Sequence, residues 1–361
     1  MTTKRILVLH GYSAANRGDG LLVDESLELI REVYGGDADV DLVTSYPDSF
    51  NYTGLRTFRS KPSFRGFSRA YLELLGSKFN NYDLVVGVGG GYLRFGTPTE
   101  CLKTVLVMGP QLLAAALSST PTVYLPQSVG PARFGFRLPL GTALRKLDRV
   151  WVRDDRSLGE FPEISVQRAP DLAILGMQRS SLAYDPGLVP VVSVREHRGG
   201  VPVGARDLAN KLLQFDGYIQ SSVAGNDDTA AVASLRPVEI CSFDELMGRP
   251  TSARIVVAMR LHAALMAIAA GHYVIHLAYE RKGFGAFEDL GLEDYVHNVH
   301  DFDVEEVELK VRALANNSEA RRKYDKCVAN SAGKLKEGRD RVLASLQPNP
   351  IDSGSRKADL S

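Results

Sequence analysis

Cysteine is scarce in this chain. The three residues Cys101, Cys241 and Cys327 lie far apart, form no CxxC pair and are odd in number. That pattern argues against a zinc site or a disulfide framework and fits a reduced, cytoplasmic setting. Long apolar runs are missing too: nothing approaches the roughly 18 to 20 apolar residues of a membrane span. The run after Met1-Thr2-Thr3-Lys4-Arg5 is too short for a signal peptide. A soluble chain is expected, peripheral to a membrane at most. Net charge is absent as well, with Lys+Arg and Asp+Glu both at 43. No global field therefore points to nucleic acid, and any basic function must be local. Three motifs are also lacking: G-x-G-x-x-G, the Walker pattern and the G-x-S-x-G elbow. Dinucleotide, P-loop and esterase readings lose their support with them.

What is present is a 361-residue chain, 44% apolar and 24% charged, long enough for two domains with a core each. Strand and helix patterns alternate, which predicts an α/β fold of parallel sheets covered by helices. Residues 5–10, 40–44, 84–88, 122–125 and 149–152 read as strands, and residues 20–33 and 102–117 as helices. The segments Pro126-Gln127-Ser128-Val129-Gly130-Pro131 and Arg153-Asp154-Asp155-Arg156-Ser157 read as polar loops at strand ends. The pattern restarts at 191–194 after a proline-bearing linker, 178–190, and ends in helices at 305–315 and 318–346. The expected units are 1–178 and 179–347, facing each other across a cleft, with a disordered polar tail at 348–361.

Chemistry is expected where the strand at 254–259 gives way to the helix at 261–270, because Arg260 and His262 stand at that junction. In open parallel sheets ligands bind beyond the carboxyl ends of strands, and helix N-termini offer free N–H groups to anions. Arg195 ends the first strand of the second unit and could share that face. Guanidinium groups bind carboxylate or phosphate in paired fashion, and an imidazole can give or take a proton near neutral pH. The alternative is that Arg260 pairs with a neighbouring carboxylate and His262 is a satisfied core residue. Asp19, after Asn16-Arg17-Gly18, reads either as a helix cap or as a carboxylate addressing a substrate hydroxyl. Gly89-Gly90-Gly91 allows either close approach to a ligand or merely a tight turn. His297 and His300 lack the further ligands a metal needs, so no metal site is expected. Two stretches interleave bases with phenylalanines: Arg56, Arg59, Lys61, Arg65 and Arg69 with Phe58, Phe64 and Phe67, then Arg133, Arg137, Arg145 and Lys146 with Phe134 and Phe136. Each is either a solvated face or a contact for anionic lipid headgroups.

Several short motifs follow one another along residues 4–291: Asn16-x-Gly18-Asp19, Gly89-Gly90-Gly91, Pro126 to Pro131, Arg153-Asp154-x-x-Ser157, Pro170-Asp171, Ser193-x-Arg195, Arg260-Leu261-His262-Ala263 and Tyr279-x-x-Lys282. In these motifs and their order the chain resembles the polysaccharide pyruvyl transferases. The resemblance implies two Rossmann-like domains of the glycosyltransferase-B type, the first on the acceptor side and the second on the donor side. It also implies transfer of pyruvate from phosphoenolpyruvate onto a cell-surface glycan or glycolipid sugar as a ketal, with release of phosphate and no further cofactor. His262 and Asp19 are then the catalytic candidates. Asn16, Gly18, Gly89, Gly90, Gly91, Gln127, Arg153, Ser157, Arg195, Arg260, Leu261, Tyr279 and Lys282 are the substrate-binding candidates. Two departures stand out: Gly20-Leu21 follows Asp19, where relatives carry Glu or Ala, and Glu280-Arg281 fills the place of Asp-Pro before Lys282. A nucleotide-sugar glycosyltransferase and a noncatalytic glycan-binding protein are the alternatives, separable by which donor, if any, is consumed.

Overall fold

The computed structural model describes residues 3–223 and 226–347, so the expected tail at 348–361 lies outside the described residues. The first unit is built on β1 (Arg5–Gly11), β2 (Asp39–Thr44), β3 (Arg56–Arg59), β4 (Leu84–Gly87), β5 (Gly90–Phe95), β6 (Thr122–Ala132), β7 (Arg149–Val152) and β8 (Gln167–Arg168). Their order is β3-β2-β1-β4-β6-β7-β8, with β5 beside β6, and every pairing is parallel. Ile6, Leu7, Val8 and Leu9 are all fully buried, which is how a strand covered on both faces reads. The helix Arg17–Tyr34 follows β1 because the Asn16 side chain accepts from the Gly18 N–H, and it stops at Gly35, φ 78°. Asn16, not Asp19, is therefore the cap. β6 runs straight through the Pro126 to Pro131 segment expected to be a loop, because its register shifts between Tyr124 and Gln127 and pairing then resumes with β5 and β7.

The second unit carries β9 (Val191–Ser193), β10 (Asp216–Tyr218), the hairpin β11 (Ser222–Val223) and β12 (Asn226–Asp227), β13 (Ile240–Cys241), β14 (Ile255–Ala258), β15 (Tyr273–Ala278) and β16 (Val296–Asn298). Its main sheet, β13-β10-β9-β14-β15-β16, is again all parallel. β14 passes through Met259 and Arg260 into the helix Leu261–Ala269, as the sequence predicts.

The cores are not divided one per unit. One apolar cluster runs continuously from Ile6 and Leu22 through Leu172 to Val256, Leu265 and Leu346, joining one face of the first sheet to both faces of the second, and another cluster covers the other face of the first sheet. The closing helix Ser318–Leu346 spans both units. Near its start Tyr324 Oη accepts from the Val274 N–H at 3.1 Å, and at its end Ser345 Oγ accepts from Trp151 Nε1 at 2.9 Å. One helical stretch, Pro98–Leu117, is long and apolar enough to cross a membrane by length and composition, contrary to the reading of the sequence. Its polar residues are spread thinly along it, so no unbroken apolar run announces it.

Candidate active site

The strand order reverses beside β1 and β4 in the first sheet and beside β9 and β14 in the second. Ligands collect at such switch points, beyond the carboxyl ends of the strands. A cavity of about 290 Å³ lies there, between the two units. Asn16, Asp19, Gly89, Gly90, Gly91 and Arg153 line it from the first unit; Arg195, Arg260, Leu261, His262, Tyr279 and Lys282 line it from the second. Three sequence candidates stand apart. Gly18 packs beneath His262, where a Cβ would fall 2.4 Å from Nδ1. Ser157 Oγ accepts from the Val129 N–H at 2.8 Å and its own N–H donates to Asp154, so it holds two segments together beside a neighbouring cavity of about 220 Å³. Gln127 is fully buried and lines neither cavity.

His262 enters on the first turn of its helix with the ring 15% exposed. Its Nε2 makes no hydrogen bond and sits 4.0 Å from Asp171 Oδ1. Burial pushes the ring down to about 4, with Asp171 pulling the other way and Arg153, Lys282 and Arg260 adding to the fall. Charge on this imidazole thus requires an additional negative neighbour. Asp171 is itself held in place: Arg153 Nη1 donates to it at 2.5 Å and the Ala173 N–H at 3.0 Å. Burial favours its neutral form, but Arg153 and His262 outweigh that and hold its carboxyl below the usual range.

The cleft arginines differ in how they are compensated. Asp228 takes two donors from Arg260, Nε at 2.5 Å and Nη2 at 2.6 Å, while Asn226 takes Nη2 as well. The carboxylate pairing considered for Arg260 is therefore real, and the residue lines the cavity all the same. Glu280 joins Arg94 of the first unit (2.9 Å) to Lys282 (2.8 Å) across the cleft. Burial works against its charge, but Lys282 and Arg94 hold its carboxyl far below the usual range. Among the described residues, Arg195 alone of the cavity-lining arginines pairs with no carboxylate; it donates to Tyr279 Oη at 3.2 Å and to the Glu196 carbonyl, with its guanidinium over the Tyr279 ring. Asp19 receives a hydrogen bond from Asn16 Nδ2 at 2.6 Å, and burial pushes its carboxyl up to about 6 although Lys282, Arg260, Asn16 and Arg153 oppose the rise. A carboxyl at that level gains and loses its proton close to neutral pH.

The model of one family, described as polysaccharide pyruvyl transferase, matches residues 16–281, which includes every residue just placed in the cleft except Lys282. The chain belongs to that family. It is accordingly a transferase, and its acceptor is a glycan. No curated protein matches the chain. Among solved structures, a UDP-GlcNAc 2-epimerase from Neisseria meningitidis bound to UDP-GlcNAc is 11% identical, with a TM-score of 0.54 over 95% of this chain and 99% of its own. An alpha-glucosyltransferase in complex with UDP and a 13-mer DNA is 12% identical, with a TM-score of 0.53 over 95% and 100%. At such identities the likeness is one of fold: two Rossmann-like domains in the glycosyltransferase-B arrangement.

Several cleft residues of this pyruvyl transferase escape a reading of the sequence. His10, the last residue but one of β1, has φ 69°, a left-handed conformation rare for a residue with a side chain and found at functional sites. Its N–H donates to Gln111 Oε1 at 2.8 Å, its Nε2 lies 2.9 Å from Tyr124 Oη, and its ring stacks on Tyr92 at 4.4 Å. Burial drives this imidazole down to about 3, so it is neutral. Tyr12, Arg94, Gln220, Asn226 and Glu280 also face the cavity. The one available signal was Glu280, as a departure from the family pattern. Among the described residues no group of His, Cys, Asp and Glu could hold a metal ion.

Proposed function

We propose that this transferase takes phosphoenolpyruvate as donor and builds a pyruvate ketal across two hydroxyls of a sugar, releasing phosphate. The observation that carries the reading is the cavity in which His262, beside Asp171, meets Arg195, Lys282 and Asp19. The donor has three features to satisfy. Its carboxylate and phosphate suit Arg195 and Lys282, with Arg260 held rigid by Asp228 to complete the cationic side. Its methylene must gain a proton before the adjacent carbon can accept an oxygen. The anionic groups of the donor supply the negative charge that His262 needs in order to become imidazolium, and Asp171 adds to it.

His262 then protonates the methylene to a methyl group, one sugar hydroxyl bonds to the adjacent carbon, the bond from that carbon to the phosphate oxygen breaks, and the second hydroxyl takes its place. Of the two hydroxyl protons, one balances that added to the methylene and the other leaves with phosphate. Asp19 accepts a proton from the acceptor, for which a carboxyl raised to about 6 is suited. The acceptor is read as a lipid-linked or cell-surface glycan intermediate met at the inner face of the membrane, a setting that fits the three unpaired cysteines.

Removing a positioned general acid costs about 10² to 10⁴ in rate. His262→Ala is expected to lose that much phosphate release and ketal formation, read as the mass gain of the acceptor. Wild-type turnover in the variant would overturn the acid role, and release of nucleotide from a sugar donor in place of phosphate would overturn the donor.

A further inference from the structure

The helical stretch Pro98–Leu117 has two faces of different kinds. One is built into the fold: Cys101, Thr104, Met108, Leu112 and Ala115 are buried, and Gln111 Oε1 holds the His10 N–H. The other points outward and is apolar, with Leu102 (61%), Val105 (44%), Leu106 (44%), Leu113 (57%) and Leu117 (66%) exposed at helical spacing. Lys103 is the one charged residue from Leu102 to Leu117. Only 33% of its most apolar window is buried, which leaves an apolar face uncovered while the inner contacts tie the helix to the fold.

One of its flanks carries the second basic and aromatic stretch, and the other is the segment that follows the first stretch in the chain. The second half of the helix packs between Leu74–Lys78 and Arg137–Arg145. Leu72 (53%), in the helical turn that leads into the first flank, and Phe134 (61%) and Leu138 (76%), at the start of the second, are exposed. Lys103, Arg133, Arg145 and Lys146 are exposed, and among the described residues none of them pairs with a carboxylate. An apolar helix face with an aromatic corner and a rim of uncompensated cations matches a layer of acyl chains beneath anionic headgroups.

We propose that this face docks on an anionic lipid bilayer, the Pro98–Leu117 helix lying in the plane of the headgroups. Met108 on its inner side lines the catalytic cavity, so docking sets the cleft against the surface from which a lipid-borne acceptor would enter. The proposal deepens the acceptor reading above. Docking itself needs no donor, so vesicle binding and ketal formation fail separately.

Vesicles of phosphatidylcholine alone and of phosphatidylcholine mixed with phosphatidylglycerol test it. The full chain is expected to co-sediment with the mixed vesicles, and salt should weaken that binding. The Leu106→Glu/Leu113→Glu double variant should lose tenfold or more of its partition with an unchanged thermal transition, while Arg133→Glu/Arg145→Glu should lose the preference for phosphatidylglycerol. Trp151, the single tryptophan, is 1% exposed, so in a Leu113→Trp variant a blue shift on adding mixed vesicles reports the docked face directly. Equal partition of wild type and the Leu106→Glu/Leu113→Glu variant would overturn the proposal. So would a dimer in sedimentation velocity that this variant dissociates while wild type ignores vesicles, which would assign the face to a second copy.

Discussion

The two walls of the cleft are made of the same kind of unit and do different work. The wall from the first sheet is shaped: His10 at φ 69°, three consecutive glycines after Val88, and Tyr92 stacked on His10. Its cavity-facing cations, Arg94 and Arg153, are both tied to carboxylates. The wall from the second sheet is charged and, on the function proposed, reactive, with His262 mostly buried and proton-poor and Arg195 left without a carboxylate. One parallel α/β plan thus gives a mould on one side and a reagent on the other. The difference lies in which residues follow each strand end and not in the sheets.

The two walls touch at Gly18, and that contact offers the largest way to break the comparison. A Cβ there would come within 2.4 Å of His262 Nδ1 and 2.6 Å of its Cβ, both on a side chain fixed by its helix. Gly18→Ala is therefore expected to push the imaginary seat of the ring by a fraction of an ångström or more and to lower kcat by about a hundredfold, the cost of a misplaced reacting group. A steady-state assay of phosphate release checks it, and wild-type kcat would mean the ring is not held from the first wall. Next in size is Arg195→Ala, which removes one guanidinium from the charged wall. Hydrogen bonds to charged groups contribute about 1.5 to 3 kcal/mol, so the KM for phosphoenolpyruvate should rise about ten- to a hundredfold with kcat little changed. A fall in kcat at constant KM would assign Arg195 to the reaction step and not to holding the donor.

The charged wall was the more legible of the two. Arg195, Arg260 and His262 follow strand patterns directly, so period and position alone bring them to one open face, and the structure does bring them there. The pairing of Arg260 with Asp228 was left open because the two are 32 residues apart and meet only through the β11/β12 hairpin. The shaped wall was hidden for a different reason. His10 looks like the end of an ordinary strand until its backbone turns left-handed, and Tyr92 reaches it only because β5 runs beside β6 and not beside β4. Asp171 was visible as a motif, yet its place 4.0 Å behind His262 depends on how the two units pack. The single core shared by both sheets has the same origin: local periodicity marks which faces are apolar and says nothing of which faces meet.

Asp19 gives the smallest effect and the finest one, because it is the one ionisable group that the shaped wall presents with its proton near balance. Burial raises its carboxyl to about 6, so it is protonated below that pH and free to accept a proton above it. The cation partners Lys282 and Arg260 come from the opposite wall, which makes this value a joint product of both. Comparing Asp19→Asn with wild type isolates the group, since the titration of His262 enters both and cancels in their ratio. The ratio of wild-type to variant kcat/KM for the acceptor should climb about tenfold per pH unit as pH rises towards 6 and level off above it. A ratio that stays flat across that range would remove Asp19 from the proton inventory and leave it as the partner of Asn16. A ratio that climbs in wild type but bends at lower pH in a Lys282→Met background would show the reagent wall tuning the mould in the wrong sense, because loss of that cation should move the bend upward.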